Sequence, residues 1–199
     1  MNVQAKQVIP LFIAFVCINL IAYGSKQDEV PGETMARMVK LGEELATPNE
    51  NHAFLAQMAG EWETSASVMG MKATPGTASY KMILGNRYLD GMHFGTFMGT
   101  PFEGRLTIGY DNYKHKFASS YIDDIGTSIR SAEGMLNRTG TVLSLWGPMD
   151  EWMTDEHDKP VLYKYTIIDE NQFVFEIHDL GMGAQSKVIV VTYTRKITS

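Results

Sequence analysis

From Glu61 onward the chain keeps returning to a period of two. Trp62, Thr64, Ala66 and Val68 share one face while Glu61, Glu63, Ser65 and Ser67 share the other, the pattern of a strand buried on one side. Similar runs follow: TASYKMIL, RYLDGMHFGTFM, FEGRLTIGYD, KFASSYIDD, TSIRSAEGML, TVLSLWG, VLYKYTIID, QFVFEIHDL and KVIVVTYTRK. They predict about ten strands. The separators are turn-like: Gly99 to Pro101, Asp111 to His115, Asn137 to Gly140, Asp169 to Asn171 and Gly181 to Ala184. Short loops of this kind join antiparallel neighbours. No stretch after Trp62 supplies the crossover helix that a parallel sheet requires. The expected fold is therefore mainly β, an antiparallel up-and-down β-barrel, which buries one face of every strand and leaves no edge exposed.

The residues before the barrel divide into two parts. Lys6 precedes the apolar run from Val8 to Ala22, and Ala22-Tyr23-Gly24 places small residues ahead of Ser25. That is the form of a secretory signal peptide over residues 1–24. A retained membrane anchor is the rival reading, but the run is shorter than the roughly 20 residues needed to span a bilayer, so cleavage is expected and with it no stable membrane insertion. Lipidation at Cys17 is the alternative, although Ala14-Phe15-Val16 lacks the small residues that usually precede a lipidated cysteine. Residues 25–59 then hold a polar linker and two short helices. Met35, Met38, Val39 and Leu41 recur at helical spacing behind Thr34 as N-cap, Pro48 and Asn49 break the first helix, and Glu50 to Met58 forms the second. The barrel domain occupies residues 60–199.

Cleavage after Gly24 removes the only cysteine, so an exported domain would have to rely on its core rather than on disulfides. An apolar fraction of 44% supplies that core. The mature chain sets 17 basic residues, less Lys6, against 23 acidic ones, a net charge of −7. Nucleic acid and anionic lipid both demand the opposite sign, so neither is an expected partner.

Gly60-Glu61-Trp62, LGNRYLDG at Leu84 to Gly91, GTPFEGRLTIGYD at Gly99 to Asp111, YIDD at Tyr121 to Asp124 and VTYTR at Val191 to Arg195 occur in that order. With these segments the chain resembles the bacterial domain-of-unknown-function family fifteen-seventy-nine, which is grouped with the lipocalin-like, or calycin, barrels. The resemblance covers residues 60–196 and implies a lipocalin-like barrel without implying an activity. It also implies that Trp62 packs at the closed end with Arg195 of the last strand across its ring, a structural clasp joining first strand to last. A haem-binding calycin relative draws attention to His178, but alternation puts Phe173, Phe175 and Ile177 on one face and Glu176 and His178 on the other. His178 is expected to face solvent, and no cofactor is expected.

Signatures of metalloproteases, serine hydrolases and P-loop enzymes are absent, as is any cysteine cluster. The segment Met149 to Pro160 is acidic around Trp152, but its spacing fits no calcium loop, so it reads as a solvated hairpin loop with Trp152 and Met153 near its tip rather than as a metal site. An enzyme assembled from separate strands remains open: Tyr121 and Asp123 share a face with Phe117, and Arg87 and His93 share a face of an earlier strand. A purely structural accessory domain is a further alternative. The favoured expectation is an exported, periplasmic or extracellular barrel that binds a small apolar or amphipathic ligand without turning it over. Its methionines suit an adaptable cavity. Polar anchors for the ligand are expected at Tyr80, Arg87, Tyr121, Asp123 and Tyr165.

Overall fold

The computed structural model describes residues 31–197; the expected leader, its cleavage site and Cys17 lie outside the described residues. The chain divides into two compact units, residues 1–43 and 44–199. The described part of the first is most of helix α1 (Pro31–Ala46), none of whose residues is buried. Thr34 lies inside this helix rather than at its cap. The helix carries Pro31 at its start, a residue tolerated in a first turn because the missing N–H would have no partner there. Among the described residues no helix is long and apolar enough to cross a membrane.

The second unit begins with α2 (Glu50–Ala56), whose start is fixed by a reciprocal cap. The Asn51 N–H donates to Asn49 Oδ1 at 3.0 Å and the Asn49 N–H donates to His52 Nδ1 at 3.0 Å. Ten antiparallel strands follow: β1 (Gly60–Val68), β2 (Thr74–Ile83), β3 (Tyr88–Phe97), β4 (Thr100–Asp111), β5 (Lys116–Asp123), β6 (Arg130–Leu136), β7 (Val142–Glu151), β8 (Glu156–Asp169), β9 (Gln172–Asp179) and β10 (Lys187–Arg195). Each pairs with its sequence neighbours, and β1 pairs with β10 to close the barrel. The expected strand number and connectivity are present. One expected loop is not: β7 runs on to Glu151 and β8 begins at Glu156, so most of the acidic segment is paired strand. Its alternation is masked in the sequence because both faces of this exposed hairpin are polar.

Register assigns every strand an inner and an outer face. Trp62 lies opposite Ala78 and Arg195, Tyr80 opposite Gly91, Leu106 opposite Tyr121, Tyr121 opposite Arg130, Leu143 opposite Tyr165, and Phe173 opposite Tyr193. All of these face inward. At the end where β1 begins the interior is sealed: Trp62, Leu89, Ile108, Phe117, Leu143 and Phe173 are at most 1% exposed. Helix α2 packs Phe54 and Leu55 into the same core, with Phe54 edge-on to Phe117 at 6.1 Å. At the other end Val68, Phe97, Phe102, Ile177 and Ile189 also face inward yet are only half-buried. Solvent therefore reaches the inner wall from that side, and the barrel is a cup closed by α2 and open where β1 ends.

Candidate functional site: the polar band inside the barrel

Above the aromatic floor sits a band of polar groups. Tyr80 Oη lies 2.6 Å from His93 Nε2, and the two rings meet at 5.3 Å between centroids. Tyr193 packs against both at 6.0 and 6.3 Å. His93 also stacks on Tyr121, with centroids 5.8 Å apart and planes 29° from parallel. Adjacent strands thus deliver Tyr80 and His93, while Tyr121 and Tyr193 come from farther round the wall.

Two glycines make this placement possible. The Tyr80 ring occupies the space a side chain at Gly91 would need, and Tyr121 does the same over Gly104. Any Cβ at either position would push the ring aside, so the missing side chains determine where the phenols stand.

Burial sets the protonation of the band. It lowers the His93 imidazole from 6.5 to about 4, so the ring is neutral at physiological pH. Burial likewise raises Tyr193 to about 12 and lifts Tyr80, Tyr121 and Tyr165 above the ordinary phenol value as well. Every hydroxyl keeps its proton. The band therefore offers neutral donors and acceptors in an apolar surround. Among the described residues, only Thr166 Oγ1 and His178 Nε2 are side-chain polar atoms sealed from solvent without a hydrogen-bond partner, and neither belongs to this band.

Near the open end β5 and β6 bring an ion pair onto the inner face. Arg130 Nη1 donates to Asp123 Oδ2 at 2.9 Å, and its guanidinium stands 5.2 Å from the centroid of the Tyr121 ring. The other carboxylate oxygen, Asp123 Oδ1, accepts from the Gly126 N–H at 3.2 Å. A second pair comes from β8 and β9, where Lys159 Nζ and Asp179 Oδ2 are 2.8 Å apart.

Of the residues singled out in the sequence, Tyr80 and Tyr121 thus meet around His93, and Asp123 lies one inward step beyond Tyr121. Tyr165 lies deeper, against Phe175 at 4.7 Å. Arg87 stands apart, in the turn between β2 and β3: its Nε donates to the Ala46 carbonyl at 2.7 Å and its Nη1 to the Leu84 carbonyl at 3.0 Å, which ties that turn to the end of α1. His178 is on the outer face, as alternation requires, but it is half-buried there: Nε2 is 3.6 Å from Glu176 Oε2, and Nδ1 is 3.2 Å from Ser186 Oγ. Alternation in the sequence assigns His93 no face and does not mark Arg130. On β3 the inward residues include Gly91 and Gly95, and on β6 Ala132 and Gly134, so the apolar period that marks an inner face is weak on both strands.

Trp62 and Arg195 stand at the closed end. The guanidinium lies 4.2 Å from the indole centroid, and Trp62 Nε1 donates to the Met58 carbonyl at 2.9 Å.

No curated protein sequence matches the chain. Among solved structures, it resembles a redesigned β-barrel at 12% identity and TM-score 0.40, covering 72% of this chain and 95% of that one. A redesigned β-barrel bound to DFHBI is similar at 11% identity and TM-score 0.40, covering 70% of this chain and 99% of that one. Residues 47–195, which include α2 and all ten strands, match a family described as "Protein of unknown function (DUF1579)", and the chain belongs to that family.

Proposed function

We propose that this protein is an exported carrier or sensor that takes a small apolar or amphipathic molecule into the open half of its barrel and holds it without turning it over. One observation carries the reading: neutral hydrogen-bonding groups stand inside a barrel whose one end is sealed and whose other end admits solvent. Concave, largely apolar sites with a few convergent polar groups are where small molecules bind. Tyr80, Tyr121 and Tyr165 serve as anchors together with His93, while Asp123 borders the chamber. Arg87, bound to backbone carbonyls at the closed end, contributes to holding the scaffold.

The test is a titration with Nile red, an uncharged fluorophore that brightens in apolar surroundings. Saturable binding at one dye per barrel is expected. Ala66→Trp, which puts an indole on the inner wall, should abolish it. Tyr121→Phe and Tyr165→Phe each remove one hydroxyl and should weaken it by about three- to tenfold, the equivalent of one hydrogen bond, with little change in the melt. Binding that does not saturate, or that Ala66→Trp leaves intact, would overturn the proposal.

A further inference from the structure

The inward charges of the open half are spent on one another. Arg130 faces Asp123, whose side chain is 7% exposed and whose two oxygens are both occupied, by Arg130 and by the Gly126 N–H. Lys159 faces Asp179, 9% exposed, and also lies 3.5 Å from Glu156. Asp179 Oδ1 in turn accepts from the Gly181 N–H at 3.0 Å. Beyond these pairs, the register brings to the inner wall of this half the side chains of Thr64, Ala66, Val68, Phe97, Phe175 and Val191, none of them charged.

A carboxylate entering this chamber would lose its hydration and meet a cation already held by a carboxylate. An ammonium would meet the converse. Unpaired charge is strongly disfavoured in such surroundings, whereas a hydroxyl or carbonyl group can exchange hydrogen bonds with phenols and a neutral imidazole. Resting on the carrier reading, we infer that the chamber selects an uncharged amphiphile, an alcohol or carbonyl compound with an apolar body, and that Asp123 keeps anions out by occupying Arg130. Asp123 is thus a specificity-determining residue whose effect is exerted through its partner. The guanidinium also lies over the Tyr121 ring, so the gate adjoins the anchor.

The experiment displaces Nile red with three ten-carbon competitors of matched length: 1-decanol, decanoate and decylammonium, at pH 7 and constant ionic strength. The wild-type protein should prefer decanol to either ion by at least tenfold. Asp123→Asn keeps an acceptor for Gly126 but frees Arg130; the preference for decanoate relative to decanol should then rise at least tenfold over wild type. Arg130→Gln frees Asp123 instead and should improve decylammonium in the same way. A purely structural role for the pair would move the melting temperature but not the order of preference among the competitors.

Equal affinity of the wild type for decanol and decanoate would overturn the inference, as would unchanged preferences in both folded variants. Nile red bound but displaced by none of the three would overturn the ligand class while sparing the carrier reading. No saturable Nile red binding at all would remove the carrier reading itself.

Discussion

Arg195 lies over Trp62, 4.2 Å from the indole centroid, and the two residues are also cross-strand partners where β10 meets β1. The same guanidinium donates to the carbonyls of Ala59 at 2.8 Å, Gln57 at 3.0 Å and Glu170 at 2.8 Å. One side chain thereby joins the strand that closes the barrel, the end of α2 and the turn between β8 and β9. Trp62 fills the floor beneath, with Phe173 edge-on at 4.8 Å.

Removing either partner should destabilise the barrel, by about 3–5 kcal/mol for Trp62→Ala through the cavity it leaves and by about 1–3 kcal/mol for Arg195→Ala through the carbonyls it strands. The double variant should lose less than the sum, because a cation over an indole adds about 0.5–2 kcal/mol that only the pair possesses. Denaturant melts of the four proteins check this. Strict additivity would contradict the coupling.

Acid should weaken the fold in two successive windows. Burial lowers His93 from 6.5 to about 4, so between these values the unfolded chain takes up a proton that the folded one refuses. Stability falls as pH drops from 6.5 to 4, by about 3 kcal/mol at most, and this contribution is flat below. His52, also lowered chiefly by burial, adds a component of the same sign below 6.5. Glu176 behaves as a paired acid: burial alone would raise it, but hydrogen bonds from Lys187 and Lys164 outweigh that and hold it at about 2. Its contribution is present above 4.5 and disappears as pH falls toward 2. Stability measured by urea melts from pH 8 to 3 should show both windows, and His93→Gln should reduce the first to the His52 component while leaving the second.

Gly104 should be intolerant of the smallest side chain. A Cβ there meets the hydroxyl and ring of Tyr121, so Gly104→Ala should cost about 1–3 kcal/mol and weaken Nile red binding along with it. Gly126→Ala, where nothing lies within 4 Å, should stay within about 0.5 kcal/mol of wild type. Equal melts for the two variants would contradict the role given to the close approach.

The barrel was legible because alternation survives on most of its strands: Trp62, Thr64, Ala66 and Val68, or Phe173, Phe175 and Ile177, announce an inner face directly. Legibility failed where the inner face carries glycine, alanine or charge. His93 lies between Gly91 and Gly95, and Arg130 precedes Ala132 and Gly134, so hydrophobicity does not say which way either residue points. Only the register with β2 and β5 does. The β7–β8 hairpin reads as loop in the sequence for a similar reason, since its polar strand ends pair through backbone groups that side-chain patterns do not report. Tyr80 and Tyr121 read as inward phenols, but their meeting at His93 depends on the register of β2 to β5, and barrel closure adds Tyr193 from the far end of the chain.

Native mass spectrometry of the protein purified from its own host decides whether the open half of the barrel holds an uncharged small molecule. The expected result is a non-covalent mass increment at one per barrel, lost on denaturation, reduced in Tyr121→Phe and absent in Ala66→Trp, with the released compound carrying a hydroxyl or carbonyl group and no ionised one. The bare mass of the mature chain under native conditions, in a protein that also fails to bind Nile red saturably, would contradict it.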